Sequence, residues 1–365
     1  MTEVKQNGAY KVLEVLGSAL ERGRQYGLAL KDELVRLLQV EIHGYMKEQK
    51  GIEPDEIEAF AEMCLPYIQR DAPLSFEFMR GVSEGSGMPV RELAAILAHE
   101  EFFHGHTIAH HCTAMAVAPV ETTDNRTYIG QTWDWLTAMI PYTYLLKQTT
   151  EDGLRILTYS FPGLWAGAGM NSEGVSLVWT AAGYGHAAQH GGKARDGVPS
   201  YALISEALQQ KTFDEAISYL EGARQAGWFL FLLAGKGGQI TRVEASPTAK
   251  AVVKPTSIAA AHGNYLDEDV AKSACQDQPA GHPAHNQRYA RTCELLVSHS
   301  GRLNEQKMKE ILVEEDPKIP DLMISLTCTN EPIGTIDSFL FCPDTGKAWF
   351  IPQPSDGGQW QEFAV

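Results

Sequence analysis

The residue in this sequence best suited to covalent chemistry is Cys112. It begins an alternating stretch typical of a β-strand, and a turn at residues 124–126 separates this stretch from a second one that leads to Asp134. A hairpin built from the two stretches would bring Cys112 and Asp134 to the same end of neighbouring strands. Cysteine is also a common small core residue, so burial without chemistry is the alternative interpretation.

A cysteine and a carboxylate at one strand end have a defined use if the cysteine is the first residue of a chain. A free α-amine titrates near ~7.7 and a thiol near ~8.5, so at neutral pH the amine can accept the thiol proton at little cost. Asp134 would orient that amine through a charge-assisted hydrogen bond. Such a cysteine attacks a carbonyl group without an external base.

The elements that must position this pair change in character near residue 110. Helical spacing and proline signals predict three helices before it, at residues 19–46, 54–67 and 90–103. After it, short apolar segments predict strands at 112–118, 127–133, 154–161, 175–181, 228–233, 240–245, 257–262, 336–341 and 348–351. Helical pairs are predicted between them at 201–209 with 213–220, and at 285–298 with 304–312. Strands grouped with paired helices indicate layered α+β packing.

The glycine-rich segment at residues 167–170 does not match a phosphate-binding loop. It lacks the G-x-G-x-x-G spacing after a strand and the lysine of a Walker loop. We therefore predict tight turns there.

Several motifs, taken in order, resemble one known family. C-T-A-M at residues 112–115 followed by G-Q-T-W-D-W at 130–135 resembles the acyl-coenzyme A:isopenicillin N acyltransferase family. Its members are N-terminal-nucleophile (Ntn) hydrolases related to bile-salt hydrolase and penicillin V acylase. The resemblance extends over about residues 14–355, through E-R-G-R-Q-Y-G at 21–27, G-M-N-S-E-G-V at 169–175, G-V-P at 197–199 and N-Q-R-Y-A-R at 286–291.

The resemblance implies a four-layer αββα sandwich and a precursor that cuts itself before Cys112. Residues 1–111 would then form an α subunit and residues 112–365 a β subunit, two chains of one intertwined domain. The family usually has glycine before the nucleophile, whereas this chain has His111. Because glycine eases the strained peptide that self-cleavage requires, an uncleaved, non-catalytic binding protein on the same fold is the competing hypothesis.

The resemblance also assigns roles to residues far from the cysteine. Asn264 would supply a side-chain amide to the oxyanion hole, with a turn asparagine as the alternative. Arg288 would orient the surroundings of the nucleophile or a substrate carboxylate, with a solvated surface arginine as the alternative. Five residues would line the substrate pocket, although core packing explains the tryptophans equally well: Gln131, Trp133, Trp179, Thr180 and Tyr265.

Composition excludes several other classes. Lys and Arg total 30 against 46 Asp and Glu, a net charge of −16 without a basic run, so we expect neither nucleic acid nor a membrane surface as partner. Glu101 and His104 share a helix spacing used by di-iron sites, but the second Glu-x-x-His is missing, so no metal is predicted. We expect no cofactor, a cytoplasmic location, a small N-acyl amide or acyl-coenzyme A as substrate, and an oligomeric state open to a homo-oligomer.

Overall fold

A computed structural model describes most of the chain. The described residues are 4–104, 112–182, 195–254, 257–263, 265–273, 283–314, 324–325 and 333–365. Two of the residues singled out above, His111 and Asn264, lie outside them.

The larger of two sheets has nine strands in the order β1-β2-β5-β6-β7-β8-β9-β10-β11. Its pairs are antiparallel, except that β2 runs parallel to β5. The strands are β1 (Lys5–Asn7), β2 (Tyr10–Gly17), β5 (Tyr144–Thr150), β6 (Arg155–Phe161), β7 (Leu164–Asn171), β8 (Ser176–Ala181), β9 (Phe229–Ala234), β10 (Ile240–Ala245) and β11 (Lys250–Val253).

The second sheet has six antiparallel strands in the order β12-β3-β4-β13-β14-β15. They are β3 (Thr113–Val117), β4 (Tyr128–Leu136), β12 (Ile258–Ala261), β13 (Ile333–Cys342), β14 (Lys347–Pro352) and β15 (Gln361–Ala364). The two strands of the hairpin that follows Cys112, β3 and β4, pack against β8 and β9 of the larger sheet.

Helices cover the outer faces of both sheets. They are α1 (Ala19–Ala29), α2 (Lys31–Arg36), α3 (Tyr45–Lys50), α4 (Pro54–Asp71), α5 (Pro73–Ser86), α6 (Val90–Leu97), α7 (His99–His104), α8 (Ser200–Ala207), α9 (Phe213–Gly222), α10 (Glu268–Ser273), α11 (Pro283–Ser298) and α12 (Glu305–Leu312). Helices α8 and α9 pack on the larger sheet, and α11 and α12 pack on the smaller one. The order of layers is therefore helix, sheet, sheet, helix, which confirms the predicted four-layer α+β sandwich.

Glycines bring α1 and α5 into close contact. A Cβ atom on Gly23 would lie 2.1 Å from the backbone oxygen of Phe78, and one on Gly81 would lie 2.1 Å from that of Leu20. Gly27 makes a similar approach one turn further along α1. The E-R-G-R-Q-Y-G motif thus serves helix packing, against a helix that the sequence patterns did not predict.

Two other predictions of local structure were wrong, one for the glycine-rich segment and one for the first helix. Residues 167–170 lie inside strand β7 rather than in tight turns. Gly167 is needed there because a Cβ atom would lie 3.0 Å from the ring of Trp133, which packs on the strand. The single helix predicted over residues 19–46 is broken after Ala29 and contains a π-helical segment, Leu37–Gly44.

Among the described residues, no helix combines the length and apolar character needed to cross a membrane.

Candidate active site

Cys112 lies immediately before β3, at one end of the β3–β4 hairpin. Thr113 pairs with Thr132 and Ala114 with Gln131, so Cys112 lies level with Trp133 and next to Asp134. The hairpin predicted from the sequence is confirmed, and so is the proximity of Cys112 to Asp134.

Side-chain alternation divides this hairpin into two faces. Ala114, Gln131 and Trp133 face the larger sheet, because Trp133 packs on Trp179 of β8 with ring centroids 5.5 Å apart and Gln131 bonds to the same residue. Asp134 faces the opposite way, toward α11. Cys112, two residues before Ala114, shares the face between the sheets.

The Cys112 thiol is buried in the intact chain, with 6% of the residue exposed. Sγ donates to the backbone oxygen of Asp134 at 4.0 Å, a weak contact. Burial raises the pKa of the thiol well above its ordinary value, the negative charge of Asp134 adds to that effect, and the contact with the Asp134 backbone partly opposes it. In the intact chain Cys112 is therefore a neutral thiol at physiological pH.

The carboxylate of Asp134 is fixed on the other face by two donors. Arg288 Nη1 donates to Oδ2 at 2.6 Å, and Thr335 Oγ1 donates to Oδ1 at 2.6 Å. Arg288 also donates through Nη2 to the backbone oxygen of Ile324 at 2.5 Å. Asp134 and Arg288 are 1% and 4% exposed, so Arg288 is a buried ion-pair partner rather than a solvated surface arginine.

A β-bulge in β13 lets two nearby residues serve opposite faces. Thr335 pairs with Asp134 and Asp337 pairs with Trp133, with the register shift between them. Residues two apart in a regular strand would share a face, whereas here Thr335 binds Asp134 and Asp337 accepts from the hydroxyls of Tyr10 and Tyr159. Nothing in the sequence indicated this bulge, and Thr335 and Asp337 were missed for that reason.

The predicted pocket residues lie around the hairpin but are packed into the core. Trp133, Trp179 and Thr180 are each at most 2% exposed, and Tyr265 is 3% exposed. Thr180 Oγ1 accepts from the backbone N–H of Gly263 at 3.3 Å, and the Tyr265 hydroxyl donates to the backbone oxygen of Ala245 at 2.8 Å. These two contacts hold both ends of the short stretch that contains Asn264.

A histidine that the sequence patterns did not single out contacts the backbone of Cys112. Nδ1 of His262 lies 3.1 Å from the backbone oxygen of Cys112 and 2.9 Å from Oγ1 of Thr113. His262 follows β12, which pairs with β3. Only the strand pairing brings it here, because 150 residues separate it from Cys112 along the chain.

Glu101, which shares the di-iron spacing with His104, makes a structural contact in this fold. Glu101 Oε1 accepts from the backbone N–H of Ser200, at the start of α8, at 2.6 Å. Burial raises the pKa of Glu101 to about 8. The described residues contain no group of three or more His, Cys, Asp or Glu side chains that could hold a metal ion.

Comparison with known proteins identifies the family of this chain. Residues 121–355, more than half of the chain, match the family described as acyl-coenzyme A:6-aminopenicillanic acid acyl-transferase. The chain belongs to this family, and membership supports a role in acyl transfer or amide hydrolysis. The match begins just after Cys112 and includes Asp134, Arg288 and Thr335.

Solved structures with similar folds come from two enzymes. A mutant of the conjugated bile acid hydrolase from Clostridium perfringens is 12% identical, with a TM-score of 0.47 over 69% of this chain and 92% of that one. Another variant of the same hydrolase gives 13% identity and a TM-score of 0.46 over the same shares. Penicillin V acylase from Agrobacterium tumefaciens is 13% identical, with a TM-score of 0.44 over 70% of this chain and 86% of that one.

Proposed function

We propose that this protein is an Ntn cysteine enzyme that cuts its own chain before Cys112 and then transfers or hydrolyses an acyl group. The sulfur of Cys112 attacks the carbonyl of an N-acyl amide or acyl thioester and forms a thioester. Asn264 and a backbone N–H hold the oxyanion, and the new α-amine of Cys112 protonates the leaving group. Water or an amine then resolves the thioester.

The position of Cys112 between two faces is the observation that carries this proposal. Its thiol lies on the inner face, and the Asp134 carboxylate is anchored on the outer face by Arg288 and Thr335. Asp134 is a neighbour of Cys112 across the hairpin, so the main chain at Cys112 lies between the thiol on one face and the carboxylate on the other. A carboxylate in that place can orient an α-amine, the group that self-cleavage would release, without contacting the thiol.

The state of the thiol in the intact chain gives cleavage a second purpose. A buried neutral thiol is a poor nucleophile because the thiolate is the reactive form. Removal of the covalent link to residue 111 would expose the strand end and supply a base. We infer that the intact chain is inactive toward external substrates.

The pocket in this proposal lies between the two sheets, beside Cys112. It would open where Gln131, Trp133 and Trp179 are packed together in the intact chain, while Thr180 binds Gly263 and Tyr265 binds Ala245 on either side of position 264. A predominantly aromatic wall suits a hydrophobic acyl chain.

Intact-mass measurement and assays on a panel of N-acyl amides test the proposal together. We expect wild-type protein to yield fragments that end at residue 111 and begin at residue 112, and to release amine from at least one substrate. Cys112→Ala should remain one chain and release none. The matched control is Cys293→Ala, a partly exposed cysteine on α11, which should behave as wild type.

Two outcomes contradict the proposal. Turnover by Cys112→Ala would exclude the thiol as nucleophile. A wild-type chain that stays intact and inert, yet binds N-acyl amides, would favour the non-catalytic binding protein.

A further inference from the structure

The side chain of Gln131 is fixed at its oxygen end. Oε1 accepts the backbone N–H of Trp179 at 2.9 Å, across the space between the two sheets. That N–H is available because β8 pairs with β7 only through Ser176 and Leu177, so the ladder has already opened at Trp179. A backbone N–H can donate only to the carboxamide oxygen, which determines where the nitrogen must be.

The nitrogen end is buried beside the nucleophile. Gln131 is fully buried, and no acceptor among the described residues meets its Nε2 at hydrogen-bond geometry. Gln131 and Cys112 share the inner face of the hairpin as diagonal neighbours. A hydrogen bond from this amide would oppose the rise that burial imposes on the pKa of the thiol.

We propose that Gln131 is a catalytic hydrogen-bond donor whose Nε2 stabilises the thiolate of Cys112. An unpartnered buried N–H is costly, so its retention next to a nucleophile points to a partner that forms later. A thiolate is such a partner, because it accepts hydrogen bonds strongly whereas a neutral thiol accepts them weakly. The use of this donor in turnover rests on the proposed function, but its effect on the sulfur does not.

Two substitutions separate this role from simple anchoring of β8. Gln131→Glu keeps an oxygen for the Trp179 N–H but replaces the donor with a second oxygen. Gln131→Met has a similar length and provides neither group. If Gln131 only anchors β8, the Met variant should change thermal stability but not the ionisation of Cys112. The Glu variant adds a negative charge that raises the pKa of the thiol by itself, so it tests whether the anchor is kept rather than whether the donor acts.

The readout is the pH dependence of Cys112 alkylation by iodoacetamide, followed by peptide mass mapping. We expect the midpoint to rise by about one to two pH units in both variants, a ten- to hundred-fold slower reaction at neutral pH, because hydrogen bonds to charged groups are strong. Cys293 provides an internal control in every sample, and its midpoint should not change. Thiolate absorbance, measured against the Cys112→Ala protein, gives the same midpoint without requiring reagent access.

The proposal is overturned if the folded Met variant keeps the wild-type midpoint. Cleavage and turnover are scored on the same preparations. A Gln131-dependent midpoint without turnover supports this inference and contradicts the proposed function. Turnover combined with a midpoint that does not depend on Gln131 supports the proposed function and contradicts this inference.

Discussion

The buried carboxylate of Asp337 makes the stability of this protein depend on pH in a way that one substitution should remove. Asp337 is 1% exposed and accepts hydrogen bonds from Tyr10 and Tyr159, two residues of the larger sheet. Burial raises its pKa from the ordinary value of 3.8 to about 7, and the two hydroxyls only partly oppose that shift. The folded state therefore holds this proton across a pH range in which the unfolded state has lost it.

The sign and size of the effect follow from that difference. Because the pKa of Asp337 is higher in the folded state, protonated Asp337 contributes to the free energy of unfolding. This contribution is fully present below about pH 4 and is lost as the pH rises to about 7. A difference of about three units corresponds to about 4 kcal/mol in the free energy of unfolding. Asp337→Asn cannot ionise, so its stability relative to wild type should increase by about this amount between about pH 4 and pH 8.

Urea unfolding at a series of pH values measures this directly. A Cys112→Ala background removes the sulfur required for the proposed self-cleavage, so that the unfolding of one uncleaved polypeptide is compared throughout. Asp269→Asn, which removes an exposed carboxylate on α10, is the matched control and should give a curve parallel to that of the parent. Parallel curves for Asp337→Asn and the parent would refute the argument, because burial would then impose no cost on ionisation.

Two further predictions concern the anchor of the active-site carboxylate and the contact between α1 and α5. Arg288→Met leaves Asp134 as a buried charge without its cation, and we expect urea unfolding to show a loss of about 3–5 kcal/mol; a loss below about 1 kcal/mol would mean that the ion pair is dispensable. Gly81→Ala drives a Cβ atom into the backbone of α1 and should lower the free energy of unfolding by about 1–3 kcal/mol, while Gly222→Ala, whose Cβ would meet no atom within 4 Å, should not. Equal effects of the two alanines would contradict this account of the contact.

The parts of the fold that could be predicted are those whose residue pattern depends only on neighbours along the chain. Strand β10 has the predicted limits, and Thr212 caps α9 with the reciprocal hydrogen bonds that its sequence pattern indicates. The hairpin was predictable because both strands and their turn lie within one continuous stretch. Each of these signals needs only neighbours within a few residues.

The missed elements are those whose residue types are chosen for distant partners. Strand β7 is rich in glycine because the ring of Trp133 and the strand β6 approach its backbone, and glycine otherwise indicates a turn. Helix α5 carries glycines for its contact with α1, which weakens its helical pattern in the same way. In the site, His262 and Thr335 reach the hairpin only through strand pairing across most of the chain.

One additional residue in β13 links the fold to the chemistry of the site. Ile336 stands between Thr335 and Asp337 at the bulge, and without that register shift the two side chains would face the same side of the sheet. Either Asp134 would then lose its hydroxyl donor or the two tyrosines would lose their shared carboxylate. The bulge thus allows a single strand to support the carboxylate of Asp134 on one face and to join the two sheets on the other. The polar groups on both faces of the hairpin are consequently coupled to one backbone irregularity, and the geometry around Cys112 cannot be altered from β13 without affecting the packing of the sandwich.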